Sequence, residues 1–190
     1  MIENLLVRHC AQTIGGVKVS NLFNCSFENH EDLEKDIEIW NLILNPNDIY
    51  ISEINTKNNS SLVFVYKKSL MNQLLKNKNT LSFLKDYGYK NFSLDLILKN
   101  IKIKLNEKSD FPHEIGIILG YPTDDVRGFI KNNGKNYKLS GFWKVYSNTN
   151  HAINTFNTYK KCSEYILSLF ESGIPIHKLT NKYKYEGVLV

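Results

Sequence analysis

The predicted fold depends on one stretch of the chain, Phe111-Pro112-His113-Glu114-Ile115-Gly116-Ile117-Ile118-Leu119-Gly120-Tyr121-Pro122-Thr123-Asp124-Asp125-Val126-Arg127-Gly128-Phe129-Ile130. Its apolar run over 115–119 predicts a short strand that is buried on both faces. Two titratable side chains, His113 and Glu114, stand at the start of that run. Many folds present reactive groups at strand ends or on loops held by a rigid frame. We therefore expect this segment to contribute to a functional site.

The residues after the run predict a turn followed by a helix. Gly120-Tyr121-Pro122 supplies the turn, and Thr123 is a suitable N-cap for the helix. Asp124 and Asp125 would then occupy the first helical turn, where carboxylates are favoured by the helix dipole. Because those carboxylates would repel a phosphate, this helix start is interpreted as a capped turn.

Apolar periodicity outside this stretch predicts the remaining elements. Residues 56–60 are expected to form a hairpin loop between two alternating, β-rich segments. The order of elements predicts an α+β fold. We expect a single domain over residues 1–190, with one mixed four- to five-stranded sheet that includes the β-hairpin and carries helices packed on it. The predicted helices cover 2–12, 31–44, 68–77, 80–87, 93–106 and 150–171; the other strands cover 49–55, 61–67 and 137–147; an extended tail covers 185–190.

Composition limits the class of protein. A chain of 190 residues with 42% hydrophobic residues buries enough surface to fold without a disulfide or a metal. Three cysteines are too few, and odd in number, for a secreted disulfide scaffold. The N-terminus resembles no signal peptide, and no apolar run has the length of a membrane span. The sequence therefore predicts a soluble, reduced, cytoplasmic protein with no membrane partner.

Charge gives little sign of a polyanionic partner. The net charge is +5, and the lysines are scattered along the chain. A nucleic-acid binder concentrates basic residues on one face with aromatic platforms between them, so the pattern argues against nucleic acid. Arg8 and Arg127 are the two arginines of the sequence. Since arginine offers a planar, bidentate donor, either one is a candidate anion anchor; the alternative is an ordinary surface position.

Six short segments are spread over nearly the whole chain: His9-Cys10-Ala11, Leu22-Phe23, Phe111–Gly116, Leu119–Pro122, Asp125–Ile130 and Gly141–Tyr146. Together they resemble a known family. It is an uncharacterised bacterial family, a domain of unknown function found mostly in anaerobic Gram-positive bacteria. The resemblance implies a standalone bacterial protein and assigns no activity. Gln12 departs from the family's first motif, His-Cys-Ala-Pro, at the position of the proline.

Cys10 is the first candidate for chemistry. A neighbouring cation favours the reactive thiolate, and Arg8 and His9 are adjacent in sequence. Neighbours one or two apart on a helix point in different directions, however, so a small buried cysteine is the alternative interpretation.

His113 and Glu114 form the second candidate. Histidine can act as a general base near neutral pH or as a metal ligand. In an extended segment these two side chains would point to opposite faces, so one of them would line a given pocket. The alternative is structural: His113 bonded to a loop carbonyl and Glu114 paired with a lysine.

Potential metal ligands are present without a recognisable metal motif. No Cys-x-x-Cys occurs, and the spacing from Cys25 to His30 fits no familiar zinc finger. Haem ligation stays open, because haem needs one axial side chain and an apolar pocket. The sequence therefore predicts no specific metal site and does not indicate which cofactor, if any, is bound. The available side chains are His9, Cys10, Cys25, His30 and His113.

The leading hypothesis is a small cytosolic enzyme, or a protein that binds a cofactor or another small molecule. Its site would lie between Arg8-His9-Cys10 and the loop over 111–125. In that site Cys10 would be nucleophile or ligand, His113 base or ligand, and Tyr121 a pocket wall. Two other hypotheses are a non-catalytic interaction or regulatory protein and a protein that handles a metal, iron or haem.

Overall fold

A computed structural model describes residues 2–107 and 111–183. The fold is mixed α+β, which confirms the predicted class. Its internal contacts divide the chain into two compact units, Met1–Leu70 with Asn157–Val190, and Met71–Phe156. No helix in the described part of the chain is long and apolar enough to cross a membrane. The predicted tail over 185–190 lies outside the described residues.

The first unit is built on a three-stranded antiparallel sheet. Its helices are α1 (Ile2–Ile14) and α2 (His30–Leu44), and its strands are β1 (Ser20–Ser26), β2 (Ile49–Lys57) and β3 (Ser60–Lys67). The strand order is β1-β3-β2. Helices α1 and α2 bury apolar side chains against one face of this sheet. Helix α8 (Thr149–Glu171) belongs to this unit from Asn157 onward.

The hairpin between β2 and β3 confirms the sequence prediction and has a tighter turn than predicted. Asn58 and Asn59 alone separate the strands, with φ of 49° and 56°. Two-residue hairpin turns of type I′ require positive φ at both positions, which asparagine tolerates. A bulge between Glu53 and Asn55 interrupts the pairing of β2 with β3.

The second unit is mainly helical. It contains α4 (Lys78–Asp86), α5 (Leu94–Asn106), α6 (Ile115–Ile118), α7 (Thr123–Lys131) and most of α3 (Lys68–Leu74). Two short strands, β4 (Leu139–Ser140) and β5 (Lys144–Val145), form a separate antiparallel pair. The described strands therefore form two small sheets, and the prediction of one mixed sheet of four to five strands is corrected.

Two predicted strands take other forms in this unit. Residues 115–119, predicted as a buried strand, contain the short helix α6. All five side chains are buried, and a buried helical turn and a buried strand leave the same continuous apolar run in a sequence. Residues 137–147, predicted as one strand, fold back on themselves at Gly141, whose amide N–H donates to the carbonyl of Trp143.

Candidate functional site

A cavity of about 200 Å³ in the second unit is the leading candidate site. Three elements enclose it: the segment 111–121, which contains α6; the helix α7; and the β4–β5 hairpin. Most of its wall is aromatic or aliphatic, and we refer to it as the aromatic cavity. Its lining residues are Phe111, His113, Ile115, Gly116, Leu119, Tyr121, Asp125, Val126, Phe129, Trp143 and Lys144.

Small residues allow α6 and α7 to approach each other at the cavity. A Cβ added to Gly116 would lie 3.0 Å from Cγ2 of Val126 and 3.1 Å from Cδ2 of Tyr121. Gly120 follows α6 with φ of 78°, a conformation that glycine adopts without a steric penalty. The chain then turns so that the ring of Tyr121 stacks on Trp143, with centroids 5.3 Å apart.

Asp125 fixes the β4–β5 hairpin against α7. The indole N–H of Trp143 donates to its Oδ2 at 2.7 Å. Its Oδ1 accepts from the backbone N–H groups of Tyr146 and Ser147 and from the Ser147 hydroxyl, at 2.7–2.8 Å. A carboxylate that is 2% exposed and accepts four hydrogen bonds is a structural acceptor rather than a free catalytic base.

His113 and Lys144 supply the basic nitrogen groups of the cavity wall, which also includes the phenol of Tyr121. The exposed His113 ring meets Phe129 edge-on, with centroids 4.8 Å apart, and also contacts Phe111. The Nζ of Lys144 donates to the carbonyl of Gly134 at 2.8 Å and lies 5.0 Å from the centroid of the Tyr137 ring. The cavity therefore combines flat apolar walls with one imidazole and one ammonium group.

Comparison of the chain with known proteins identifies its family. The family described as "Protein of unknown function (DUF3793)" matches residues 6–180. The chain belongs to this uncharacterised family. No curated protein and no solved structure matches the chain. The match spans the aromatic cavity and the predicted Cys10 segment, so both belong to the family domain.

Glu114, which sequence reasoning placed beside His113, does not line the aromatic cavity. It is 7% exposed and accepts hydrogen bonds from the phenol of Tyr89 and the ammonium group of Lys104. The ammonium group of Lys104 also lies 4.9 Å from the centroid of the Tyr89 ring. This arrangement matches the structural alternative, in which Glu114 pairs with a lysine.

Arg127 also lies away from the cavity lining. Its guanidinium donates to Oδ2 of Asp86 at 2.7 Å and lies 4.8 Å from the centroid of the Phe83 ring. Both partners of the ion pair are partly exposed, so the pair contributes little to stability. Arg127 thus links α7 to α4 within the second unit.

The Arg8-His9-Cys10 segment lies on α1 in the first unit. Arg8 and His9 are exposed, and the His9 ring stacks on Phe23 with centroids 5.1 Å apart. Cys10 is fully buried in the core, and this burial raises the pKa of its thiol. The neutral thiol is therefore favoured at this position, whereas a nucleophile needs the thiolate.

Sequence reasoning missed Lys18, a lysine that is 3% exposed. Its ammonium group donates to the carbonyl of Ser20, and burial lowers the pKa of Lys18 to about 8. No local signal indicated its burial, because alternation with Val17 and Val19 is the pattern of a lysine that faces solvent.

The buried Lys18 predicts a pH-dependent stability. Below pH 8 the lysine is charged in the folded and the unfolded chain, so the burial penalty is fully present. As the pH rises from 8 toward 10.5, Lys18 loses its proton in the folded protein before it does so in the unfolded chain. The free-energy cost of burying its charge therefore decreases over this range. We expect Lys18→Met to be more stable than the wild type below pH 8, with a difference that shrinks as the pH rises.

Urea unfolding of both proteins at pH 7, 8, 9 and 10 measures this difference. Burial raises the pKa of the Cys10 thiol, and the charge of Lys18 opposes that rise, so the folded-state thiol stays neutral over this pH range in both proteins and its titration does not affect the difference. A difference that does not change over this pH range would contradict the assignment.

Proposed function

We propose that this protein binds a small molecule with a single flat ring and a carboxylate substituent in the aromatic cavity. The observation that carries the proposal is the composition of the wall: stacked and edge-on rings on several sides, with the His113 imidazole and the Lys144 ammonium group among them. Ligand sites are typically apolar clefts with a few placed polar groups that fix orientation.

The volume of the cavity limits the size of this ligand. An engineered apolar cavity of about 150 Å³ in another protein holds benzene. Drug-sized ligands occupy sites of about 300–1,000 Å³. At about 200 Å³ the aromatic cavity suits a one-ring compound and is too small for a haem macrocycle.

The polar groups favour binding over catalysis. Asp125 already accepts four hydrogen bonds, and the described contacts of His113 are with two rings. Acid–base chemistry needs a positioned proton acceptor with a partner within hydrogen-bond reach. A charge-assisted hydrogen bond from Lys144 to a carboxylate and a hydrogen bond from His113 are sufficient to orient a ligand.

We further infer a cytoplasmic bacterial setting for this activity. Its support is that Cys10, Cys25 and Cys162 are free and buried. Thiols of this kind persist in reducing compartments. The occurrence in anaerobic Gram-positive bacteria, which the sequence resemblance implies, is consistent with such a compartment.

Tryptophan fluorescence provides a direct test of the ligand class. Trp40 and Trp143 are the two tryptophans, so a Trp40→Phe variant leaves the indole of the cavity wall as the reporter. We expect benzoate-type compounds to change this fluorescence saturably, and the matched neutral amides to bind about tenfold more weakly. Loss of the charge-assisted hydrogen bond accounts for that difference.

Three variants in the Trp40→Phe background locate the binding. His113→Ala and Lys144→Met are each expected to weaken benzoate binding about tenfold. His151→Ala removes another exposed imidazole outside the cavity and is expected to leave affinity unchanged. Equal affinity in all three variants, or no binding by any one-ring carboxylate, would refute the proposal.

A further inference from the structure

We propose that His30, Glu34 and Glu53 form a binding site for a divalent transition-metal ion. One ligand atom from each of the three side chains lies within 4.8 Å of those of the other two. This cluster belongs to the first unit and shares no residue with the aromatic cavity, so each proposal can be tested without the other.

Secondary structure brings the three side chains together. His30 and Glu34 are four residues apart on α2, a spacing that places side chains next to each other on one helix face. Glu53 comes from β2, at the bulge that interrupts the pairing with β3. The helix begins at His30 because the side chain of Asn29 caps it, accepting the N–H of Glu31 at 3.1 Å.

The spacing of two of the three ligands, His30 and Glu53, is close to that of a metal site. The Nε2 of His30 lies 2.8 Å and 3.0 Å from the two carboxylate oxygens of Glu53. Zinc bonds to nitrogen and oxygen are about 2.0–2.2 Å, so tetrahedral ligand atoms are about 3.3 Å apart. A metal ion can therefore replace the proton between His30 and Glu53 with a shift of about half an ångström. The Oε1 of Glu34 lies 3.8 Å from Nδ1, the other nitrogen of the same ring, so Glu34 reaches that ion by rotation of its exposed side chain.

The carboxylate of Glu53 is held in place by a second layer of hydrogen bonds. The hydroxyl groups of Thr56 and Ser61 both donate to its Oε1, the latter at 2.8 Å. Ser61 is fully buried on β3, and its hydroxyl lies 2.9 Å from that of Thr56. Ligating carboxylates in metal sites are characteristically oriented by such partners. An ion pair on the surface forms without hydroxyl groups that orient its carboxylate.

The ligand set identifies the class of ion. One imidazole and two carboxylates match the preferences of Zn²⁺ and Mn²⁺ better than those of Ca²⁺, which prefers six to eight oxygens. The side chain of His30 is 37% exposed and that of Glu34 is 57% exposed. Three protein ligands on an accessible surface leave a coordination position open to water.

Zn²⁺ alone is the probe for the test. The full-length wild-type protein, stripped with a chelator, is dialysed against Zn²⁺, and bound metal is measured by elemental analysis. We expect one equivalent to bind, and His30→Gln to abolish that binding. Ser61→Ala leaves the three ligands intact and is expected to weaken binding about 10-fold through the orientation of Glu53.

A matched pair of variants separates a specific site from general attraction to acidic surface. Glu34 and Glu38 are both exposed glutamates on α2, four residues apart. Glu34→Gln is expected to weaken Zn²⁺ binding at least 10-fold, and Glu38→Gln to leave it unchanged. Circular dichroism of each variant verifies that the fold is retained. No stoichiometric binding by the wild type, equal weakening by both variants, or full binding by His30→Gln would each overturn the proposal.

Discussion

Replacing Asp125 with alanine is expected to lower the free energy of unfolding by about 3–5 kcal/mol. The substitution removes the acceptor for the indole of Trp143, the N–H groups of Tyr146 and Ser147, and the Ser147 hydroxyl. A buried donor left without a partner costs about 1–3 kcal/mol, and this change leaves several of them. The effect is large because one buried carboxylate satisfies all four groups.

The neighbouring Asp124 supplies the control for this prediction. It stands in the same first turn of α7 and is exposed. Asp124→Ala loses a favourable interaction with the helix dipole, which is worth up to about 1 kcal/mol. Asp125→Asn is expected to lie between the two alanine variants, because the amide keeps one acceptor oxygen and turns an N–H₂ group toward a donor.

Two measurements test the explanation. Chemical denaturation gives the change in the free energy of unfolding for each variant. Native-state hydrogen exchange follows the individual amides of Tyr146 and Ser147, which should exchange faster in Asp125→Ala by local opening. If both alanine variants lose the same small amount of stability, Asp125 does not have the structural role assigned to it.

The sequence predicted elements well where local chemistry decides them. The hairpin near residues 56–60 and the helix over 31–44 depend on short-range signals: asparagines that tolerate positive φ, and Asn29 as a cap. Strand β1 was missed because Asn21 and Leu22 break the apolar alternation that residues 23–25 follow. That strand forms because all seven of its residues pair with β3 in an antiparallel arrangement. This pairing is a long-range contact that the local sequence does not reveal.

The candidate site was predicted in part, and the difference has a physical cause. His113 and Tyr121 line the aromatic cavity, and both lie in the loop over 111–125 where the sequence predicted one side of a site. Phe129, Trp143 and Lys144 complete it from α7 and the β4–β5 hairpin, and nothing in their local sequence distinguishes them from ordinary packing residues.

The Gly15-Gly16 pair is the second position where one substitution is expected to have a large effect. The pair combines a tight turn with a close approach of another side chain. Gly16 has φ of 86°. A Cβ added to Gly15 would come closer than 3.0 Å to the Sγ of Cys162, within the core of the first unit.

We therefore expect Gly15→Ala to lower the free energy of unfolding by about 2–3 kcal/mol, the usual cost of overpacking a well-filled core. The carbonyl of Ala11, 3.1 Å from the added Cβ, restricts the relief available through movement of α1. Urea unfolding of the variant and the wild type gives the difference. A neutral result would mean that Cys162 can move away without loss.

A double-mutant cycle distinguishes this steric explanation from a general preference for glycine. Cys162→Ala alone should destabilise the protein by creating a small cavity beside Gly15, since Cys162 is fully buried. In the double variant the methyl group added at position 15 enters the space that the sulfur leaves. We expect the two changes together to cost clearly less than the sum of the single changes, with a coupling of about 1–2 kcal/mol. Strictly additive effects would contradict the steric explanation. They would show that alanine at position 15 destabilises the protein through the backbone conformation and not through contact with Cys162.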